Sequence, residues 1–132
     1  MPALNLTKKT WLATTVRKAD SFFTRLVGLL RRQSLGPEEA LWLIPSKGVH
    51  TIGMKFPIDV VFLDRNHRVI ATICEMQPRR MSRIHFSAQS VLELPRGVIK
   101  KSSTTVGDQL EILLAESSEM DDLKDTLLNR VG

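Results

Sequence analysis

A chain of 132 residues with 42% hydrophobic and 25% charged side chains has the size and balance of one globular domain, which argues against a disordered protein. Its single cysteine, Cys74, excludes an internal disulfide, a CxxC redox pair and a zinc knuckle. The formal net charge is +5, yet residues 1–114 carry 17 basic and 9 acidic side chains, whereas residues 115–132 are acidic. The cationic body can attract nucleic acid, anionic lipid or an acidic protein partner, and charge alone does not choose among them.

The first third of the chain predicts a pair of strands followed by a helix. Residues 5–16 are rich in β-branched side chains and alternate in polarity, as strands do. A helix is predicted over residues 21–32, SFFTRLVGLLRR, because its apolar side chains recur at helical spacing. Arg25, Arg31 and Arg32 lie on the other side of this predicted helix.

The middle of the chain predicts a series of short strands separated by turns. The strand segments are ALWLIP (40–45), VVFLD (60–64), VIATICEM (69–76), SVLELP (90–95) and DQLEILLA (108–115). DRNHR (64–68) has the Asp and Asn of a hairpin turn between the second and third of these strands. QPRRMSRIH (77–85) shows no period and is predicted to be a loop.

This pattern predicts a mostly β fold in a single domain, either an antiparallel β-sandwich or a barrel-like arrangement with one short N-terminal helix. A βαβ fold would need helices between the strands. The compact domain is predicted to span residues 1–114. Residues 115–132 are predicted to form an acidic C-terminal helix or tail, which can fold back on the basic body. No segment has the ~20 apolar residues of a membrane helix, and no secretory signal is recognised, so we expect a cytoplasmic protein.

Several blocks of the sequence resemble the Domain of Unknown Function 192 family over about residues 19–112. These blocks are GLLRRQSL, ALWLIP, VHTIGMKFPIDVVFLD, RNHRVIATI, VLELPRG and VGDQLEI. The resemblance implies a compact, mostly β domain with a helix near its start, and it implies no established reaction. Family members occur in bacteria and archaea, with or without signal peptides, and some lie near pilus or secretion genes. This chain is similar to the members without a leader.

The central motif departs from the commoner pattern of the family. That pattern has an aromatic residue before the methionine and a Lys-Asn-Thr stretch after it, whereas here Gly53 precedes Met54 and Lys55-Phe56 leads directly to Pro57. A site that used the Asn-Thr pair is therefore absent from this motif.

The stretch GVHTIGMKFPIDV (48–60) interrupts an apolar run with polar residues and holds most of a candidate ligand site. The candidate ligand-binding residues are His50, Thr51, Met54, Asp59 and Glu93. A histidine with two carboxylates can serve acid–base chemistry or hold a divalent ion. In the alternative interpretation Asp59 bonds exposed backbone at a bulge beside Pro57, and Met54 fills the core.

The basic residues form a second candidate site, for an anion. The candidate anion-binding residues are Arg25, Arg32, Arg79, Arg80 and Arg83. The alternative is a solvated surface, because the aromatic residues typical of single-strand nucleic-acid binders are not interleaved with the arginines. Arg25 and Arg32 can instead pair with Asp59, Asp64 or Glu93. No metal or cofactor is predicted, because His and Cys occur at no metal-binding spacing.

The sequence therefore favours a binding or accessory module without catalysis, for a protein partner or a small anionic ligand. An alternative is a small hydrolase or metal-assisted enzyme that uses His50, Asp59 and Glu93. A nucleic-acid-binding protein is a third hypothesis, which rests on charge alone.

Overall fold

The computed structural model describes residues 2–19 and 35–113. Within these residues lie eight strands and one short helix: β1 (Ala3–Asn5), β2 (Thr10–Ala13), β3 (Thr15–Ala19), β4 (Glu39–Leu43), β5 (Ile58–Leu63), β6 (Val69–Met76), β7 (Ser90–Pro95), α1 (Val98–Ser102) and β8 (Leu110–Ile112). No helix in the described ranges is long and apolar enough to cross a bilayer.

The strands form two open sheets. A three-stranded sheet has the order β2–β1–β8, and a five-stranded sheet has the order β3–β4–β7–β5–β6. The predicted mostly β single domain is confirmed, but the barrel-like alternative is wrong, because the strands at the sheet edges do not close onto one another. The strands pair mostly antiparallel, as expected, with the exception of β3 and β4, which are parallel. Residues 20–38 connect these two strands, and a connection of this length allows a parallel crossover.

Most of the predicted elements are confirmed at their positions. The predicted early strand region, residues 5–16, contains β2 together with the last residue of β1 and the first two residues of β3. The hairpin of residues 60–76 is β5 and β6, and the segments at 40–45 and 90–95 are β4 and β7. The last predicted strand, over residues 108–115, is observed as β8 over Leu110–Ile112, and residues 114 and 115 lie outside the described residues. The predicted helix over residues 21–32 and the predicted C-terminal helix or tail lie outside the described residues. The sequence did not predict α1, because five residues are too few to show a helical period.

Local hydrogen bonds explain why the hairpin turn between β5 and β6 could be predicted from its sequence. One Asp64 oxygen, Oδ1, accepts hydrogen bonds from the backbone N–H groups of Asn66 and Arg68, both at 2.9 Å. His67 adopts a left-handed backbone with φ of 62°. These are local contacts, so the type and order of residues in DRNHR suffice to predict the turn.

Two hydrophobic clusters cover the two faces of the five-stranded sheet. One cluster contains residues of both sheets and lies between them, with Val61 and Leu92 among its members. The other covers the opposite face and includes Val60 and Phe62 together with residues of the loops after β4 and β6. Because successive side chains of a strand point to opposite faces, β5 contributes to both clusters, and all six of its residues are buried.

A buried polar network ties the start of the chain to the loop before β8. The Asn5 side-chain amide donates to Asp108 Oδ2 at 2.9 Å and to Thr104 Oγ1 at 3.0 Å. Asp108 also accepts a hydrogen bond from the backbone N–H of Thr105 at 3.0 Å and forms an ion pair with Lys8 at 3.0 Å. Desolvation by burial alone would raise the pKa of Asp108, but these hydrogen bonds and the Lys8 charge hold that pKa below its ordinary value.

The lowered pKa of Asp108 predicts a specific acid sensitivity. The contribution of Asp108 to stability is fully present above the unfolded-state pKa of an aspartate, about 3.9, and is lost as the pH falls through the lower folded-state pKa. Asp108→Asn is expected to flatten this part of the stability–pH curve. Urea unfolding between about pH 2.5 and 7 measures the effect, with Asp64→Asn as a control. An Asp108→Asn variant that loses stability as steeply as the parent in acid would contradict this assignment.

Candidate functional site

Asp59 is a fully buried carboxylate in β5, and both of its oxygens bind backbone N–H groups. Oδ1 accepts a hydrogen bond from the N–H of Glu75 at 2.9 Å. Oδ2 accepts hydrogen bonds from the N–H groups of Gly97 at 3.1 Å and Ile99 at 2.9 Å. Asp59 therefore caps the start of α1 from a neighbouring strand and also fills a break in the pairing of β5 with β6.

The chain is shaped locally to meet this carboxylate. The register of β5 against β6 shifts between Ile58 and Val60, and Glu75 in the shifted segment has a φ of 52°. At the other end, Gly97 precedes α1 with a φ of 92°, a conformation that favours glycine. Asp59 thus connects the PID block of the sequence to the LPRG block. Its observed role, the acceptance of hydrogen bonds from backbone groups, agrees with the alternative interpretation in the sequence analysis.

Glu93 lies on the opposite face of the five-stranded sheet from Asp59. It is fully buried in β7 and lies directly across from Val60 of β5 and Leu41 of β4. Asp59 pairs instead with Leu94, whose side chain belongs to the cluster between the sheets. Since paired residues share a face of the sheet, the structure does not bring the two carboxylates into one concavity.

Thr51 is buried and joins two loops rather than facing a cavity. Its hydroxyl donates to the backbone oxygen of Gln77 at 2.6 Å and accepts a hydrogen bond from the N–H of Arg80 at 2.9 Å. Its backbone N–H donates to the backbone oxygen of Arg80 at 2.8 Å.

The neighbouring His50 is half-buried and forms a β-bridge with Met81. Met54 is buried in the cluster on the outer face of the five-stranded sheet, as its core interpretation expects.

These contacts belong to a larger unit, the paired loops, which we define as residues 47–55 and 77–89. The N–H of Ser82 donates to the backbone oxygen of Val49 at 2.8 Å, and the Ser82 hydroxyl accepts from the N–H of Val49 at 2.9 Å. The Lys47 ammonium donates to the backbone oxygens of Phe86 and Ala88 at 2.8 and 2.9 Å. Repeated backbone bonding therefore holds the two loops in one conformation relative to each other.

The paired loops expose large apolar side chains that the sequence analysis did not select. Their exposed fractions are 53% for Ile52, 75% for Met81, 59% for Ile84 and 81% for Phe86. Among the described residues, Val106 is the one other exposed large hydrophobic side chain. The signal available in the sequence was an aperiodic loop, QPRRMSRIHF, in which apolar residues alternate irregularly with arginines.

The same surface is basic. Arg79, Arg80 and Arg83, three of the predicted anion-binding residues, are exposed on the second loop. Lys47 and Lys55 are exposed on the first loop, and neither loop contains a carboxylate. The other two predicted anion-binding residues, Arg25 and Arg32, lie outside the described residues.

Cys74 is exposed in β6. Desolvation raises the pKa of its thiol, and the charges of Asp59 and Glu75 raise it further, against an opposing effect of Lys100. Only the thiolate is a strong nucleophile, so this environment does not activate the cysteine.

Two shallow cavities are lined by described residues, and neither contains the predicted site. A cavity of about 290 Å³ lies beside β2 and α1, with Trp11, Glu38 and Lys101 in its wall. A second of about 240 Å³ lies between Phe56 and Arg96. In the described ranges, no three His, Cys, Asp or Glu side chains are grouped closely enough to hold a metal ion.

The protein is a mostly β single domain with two open sheets. The carboxylates of Asp59 and Asp108 accept hydrogen bonds from backbone and side-chain groups and so hold these groups in place. The chain belongs to the DUF192 family, whose model, described as Uncharacterized ACR, matches residues 4–112. The family expected from the sequence motifs is thereby confirmed.

Known relatives agree with this assignment. The chain is 35% identical over 114 residues to a UPF0127 protein of Pyrococcus furiosus, covering 82% of this chain and 95% of that protein. It is 32% identical over 102 residues to a UPF0127 protein of Pyrococcus horikoshii, covering 73% and 85%. A crystal structure of a protein of unknown function from Novosphingobium aromaticivorans shares the fold, with a TM-score of 0.72 and 19% identity over 85% of this chain and 84% of that one.

Proposed function

We propose that the domain is a non-catalytic binding module that recognises an acidic, partly apolar segment of a partner protein through the paired loops. The observation that carries the proposal is the exposure of Phe86 and Met81 at 81% and 75%. Water contact with apolar surface of this size is unfavourable, and a partner that covers it gains about 25 cal/mol for each Å² removed from water.

The paired loops favour binding because they are already ordered. Backbone hydrogen bonds join Thr51 to Arg80, Val49 to Ser82 and Lys47 to His85, with donor–acceptor distances of 2.8 Å. A surface held in its binding conformation loses little conformational entropy when a partner docks. The exposed apolar side chains therefore project from a framework that need not reorganise.

The charge of the loops specifies the chemistry of the partner. The two loops carry five Lys and Arg side chains and no Asp or Glu. Such a surface attracts a segment rich in Asp and Glu and repels a basic one. A small anion would satisfy the arginines but leave the apolar side chains uncovered, so a protein segment fits the surface better.

Nucleic acid fits this surface less well than an acidic protein segment. Binding of single strands relies on aromatic side chains that stack on bases. Of the four exposed apolar residues, only Phe86 is aromatic, whereas Ile52, Met81 and Ile84 are aliphatic.

The contacts of Asp59 support the proposal that the module is non-catalytic. Its two oxygens accept three backbone hydrogen bonds. A general base needs an oxygen that can reach a substrate proton. Asp59 also lies across the sheet from Glu93, so the pair offers no shared site for a metal or a substrate.

Selection of a random peptide library displayed on phage tests the proposal with the full chain as bait. The expected result is enrichment of sequences that combine Asp and Glu with Leu, Ile or Phe. For a synthetic peptide of the enriched sequence, Met81→Ser with Phe86→Ser, or Arg79→Glu with Arg80→Glu, should raise Kd by at least about tenfold, since hot-spot side chains contribute about 2 kcal/mol or more each. Fluorescence anisotropy measures Kd.

Matched control variants remove similar side chains elsewhere. Val106→Ser removes an exposed apolar side chain, and Arg17→Glu with Lys18→Glu reverses two exposed charges on β3. Both controls should bind the peptide as the parent does. Enriched peptides without an acidic bias would overturn the proposal. Binding of oligo-dT or inorganic triphosphate that survives Met81→Ser with Phe86→Ser would assign the surface to nucleic acid or to a small anion instead.

A further inference from the structure

We propose that two copies of this chain associate through the outer edge of β6, which joins their five-stranded sheets across a two-fold axis. This proposal concerns a different surface from the paired loops and does not rest on the proposed function. β6 is an edge strand of the larger sheet and, with eight residues, the longest strand of the described residues.

Among the described residues, those that cover the outer edge of β6 lie only at its beginning. The N–H of Val69 donates to the backbone oxygen of Asp108 at 2.9 Å, and the oxygen of Val69 accepts from the N–H of Gly107 at 2.8 Å. Beyond that point the described residues place only β5 beside the strand. Within this part of the chain no segment bonds the backbone groups that point outward from residues 70–74, and such groups can pair with a further strand.

The composition of β6 is that of an edge that accepts a partner. Residues 69–74, VIATIC, contain no charge and no proline, and most are β-branched. The opposite edge of the same sheet, β3, exposes Arg17 and Lys18. Exposed edge strands are commonly protected against pairing by charged side chains, which β3 has and which residues 69–74 of β6 lack.

A second copy of the chain is the partner that fits this edge. An antiparallel pair of identical strands about a two-fold axis places each residue opposite its symmetry counterpart, so its sequence must be compatible with itself. A neutral strand meets this condition without repulsion between like charges. With the axis at Thr72, Ala71 would face Ile73 of the second copy and Ile70 would face Cys74, so uncharged residues meet uncharged residues throughout.

The far end of β6 sets a limit to the pairing. Glu75 brings the first charge of the strand, and its left-handed backbone bends the chain toward Asp59, which accepts its N–H at 2.9 Å. The available edge thus runs from residue 70 to residue 74, between the segment that covers Val69 and this bend.

Variants that carry a positive or a negative charge at the proposed axis test the dimer. Size-exclusion chromatography with light scattering is expected to show the parent as a dimer. Thr72→Lys and Thr72→Glu should each weaken self-association by at least about tenfold, because like charges meet across the axis. An equimolar mixture of the two variants should restore the dimer. Thr15→Lys on the opposite edge should leave the dimer unchanged, and circular dichroism checks that every variant is folded.

Cross-linking gives an independent readout of the register. Thr72→Cys in a Cys74→Ser background should form a disulfide-linked dimer with oxidised glutathione, because paired residues of antiparallel strands lie about 4.5–5.5 Å apart between Cα atoms. Thr15→Cys in the same background should not. A parent that is monomeric at every concentration would overturn the proposal, as would a dimer that Thr72→Lys leaves intact. Thr72 variants should bind the selected peptide normally, which separates this proposal from that for the paired loops.

Discussion

Replacement of Asp59 by alanine is expected to lower the free energy of unfolding by about 3–5 kcal/mol. The substitution removes the acceptor of three backbone N–H groups, those of Glu75, Gly97 and Ile99. Buried donors left without an acceptor cost about 1–3 kcal/mol each, reduced where water can enter. The loss also frees the start of α1 and the irregular end of β6 at the same time. Urea unfolding followed by circular dichroism measures the change.

Asp64→Ala is the matched control for Asp59→Ala. Asp64 also accepts two backbone N–H bonds, but it does so in a solvent-accessible turn where water can replace the carboxylate. We expect a loss of about 1 kcal/mol there. Equal losses for the two aspartates would contradict the role assigned to burial. A stable Asp59→Ala variant that lost peptide binding would instead make Asp59 part of a ligand site.

Phe62→Ala is expected to cost about 3–5 kcal/mol, because it opens a cavity in the core on the outer face of the sheet. Phe62 is fully buried, and its ring contacts the His85 ring of the paired loops at a centroid distance of 4.2 Å. The substitution therefore removes part of the support beneath the paired loops as well as core packing. The effect is measured as a shift in the urea midpoint at constant slope.

Phe86→Ala provides the control with the same chemical change. Phe86 is 81% exposed, so its truncation should alter stability by no more than about 0.5 kcal/mol. The pair separates two uses of phenylalanine in one chain, a packed side chain and an exposed side chain available to a partner. If Phe86→Ala destabilised the protein as strongly as Phe62→Ala, Phe86 would be a packing residue and the proposed binding surface would lose its main contact.

The sequence could select individual residues of the candidate site, but it could not predict their arrangement in space. The sequence selected Asp59 as an unusual carboxylate in an apolar run, and its alternative role as a backbone ligand matches the structure. Its three donors lie 16, 38 and 40 residues away along the chain. Which backbone groups converge on a carboxylate depends on strand order and register, and neither is encoded in the local pattern.

Strand register also explains why Asp59 and Glu93 lie on opposite faces of the sheet. The strand that holds Glu93 was predicted at its observed bounds, residues 90–95, whereas the strand that holds Asp59 was predicted to begin at residue 60 and begins at Ile58. Their faces are set by the pairing of Val60 with Glu93 and of Asp59 with Leu94. A shift of one residue in that register would place them on the same face, so the sequence of either strand alone could not decide the question.

The sequence by itself determined the features that local physical chemistry controls: a single mostly β domain, the positions of its central strands, the hairpin at DRNHR and the family. Period-two alternation and turn chemistry act within a few residues and are therefore visible in the chain. The tertiary structure alone decided the parallel pairing of β3 with β4, the partners of Asp59 and the exposure of Phe86. These depend on contacts between distant segments, because burial and register are properties of the assembled sheets and not of any one segment.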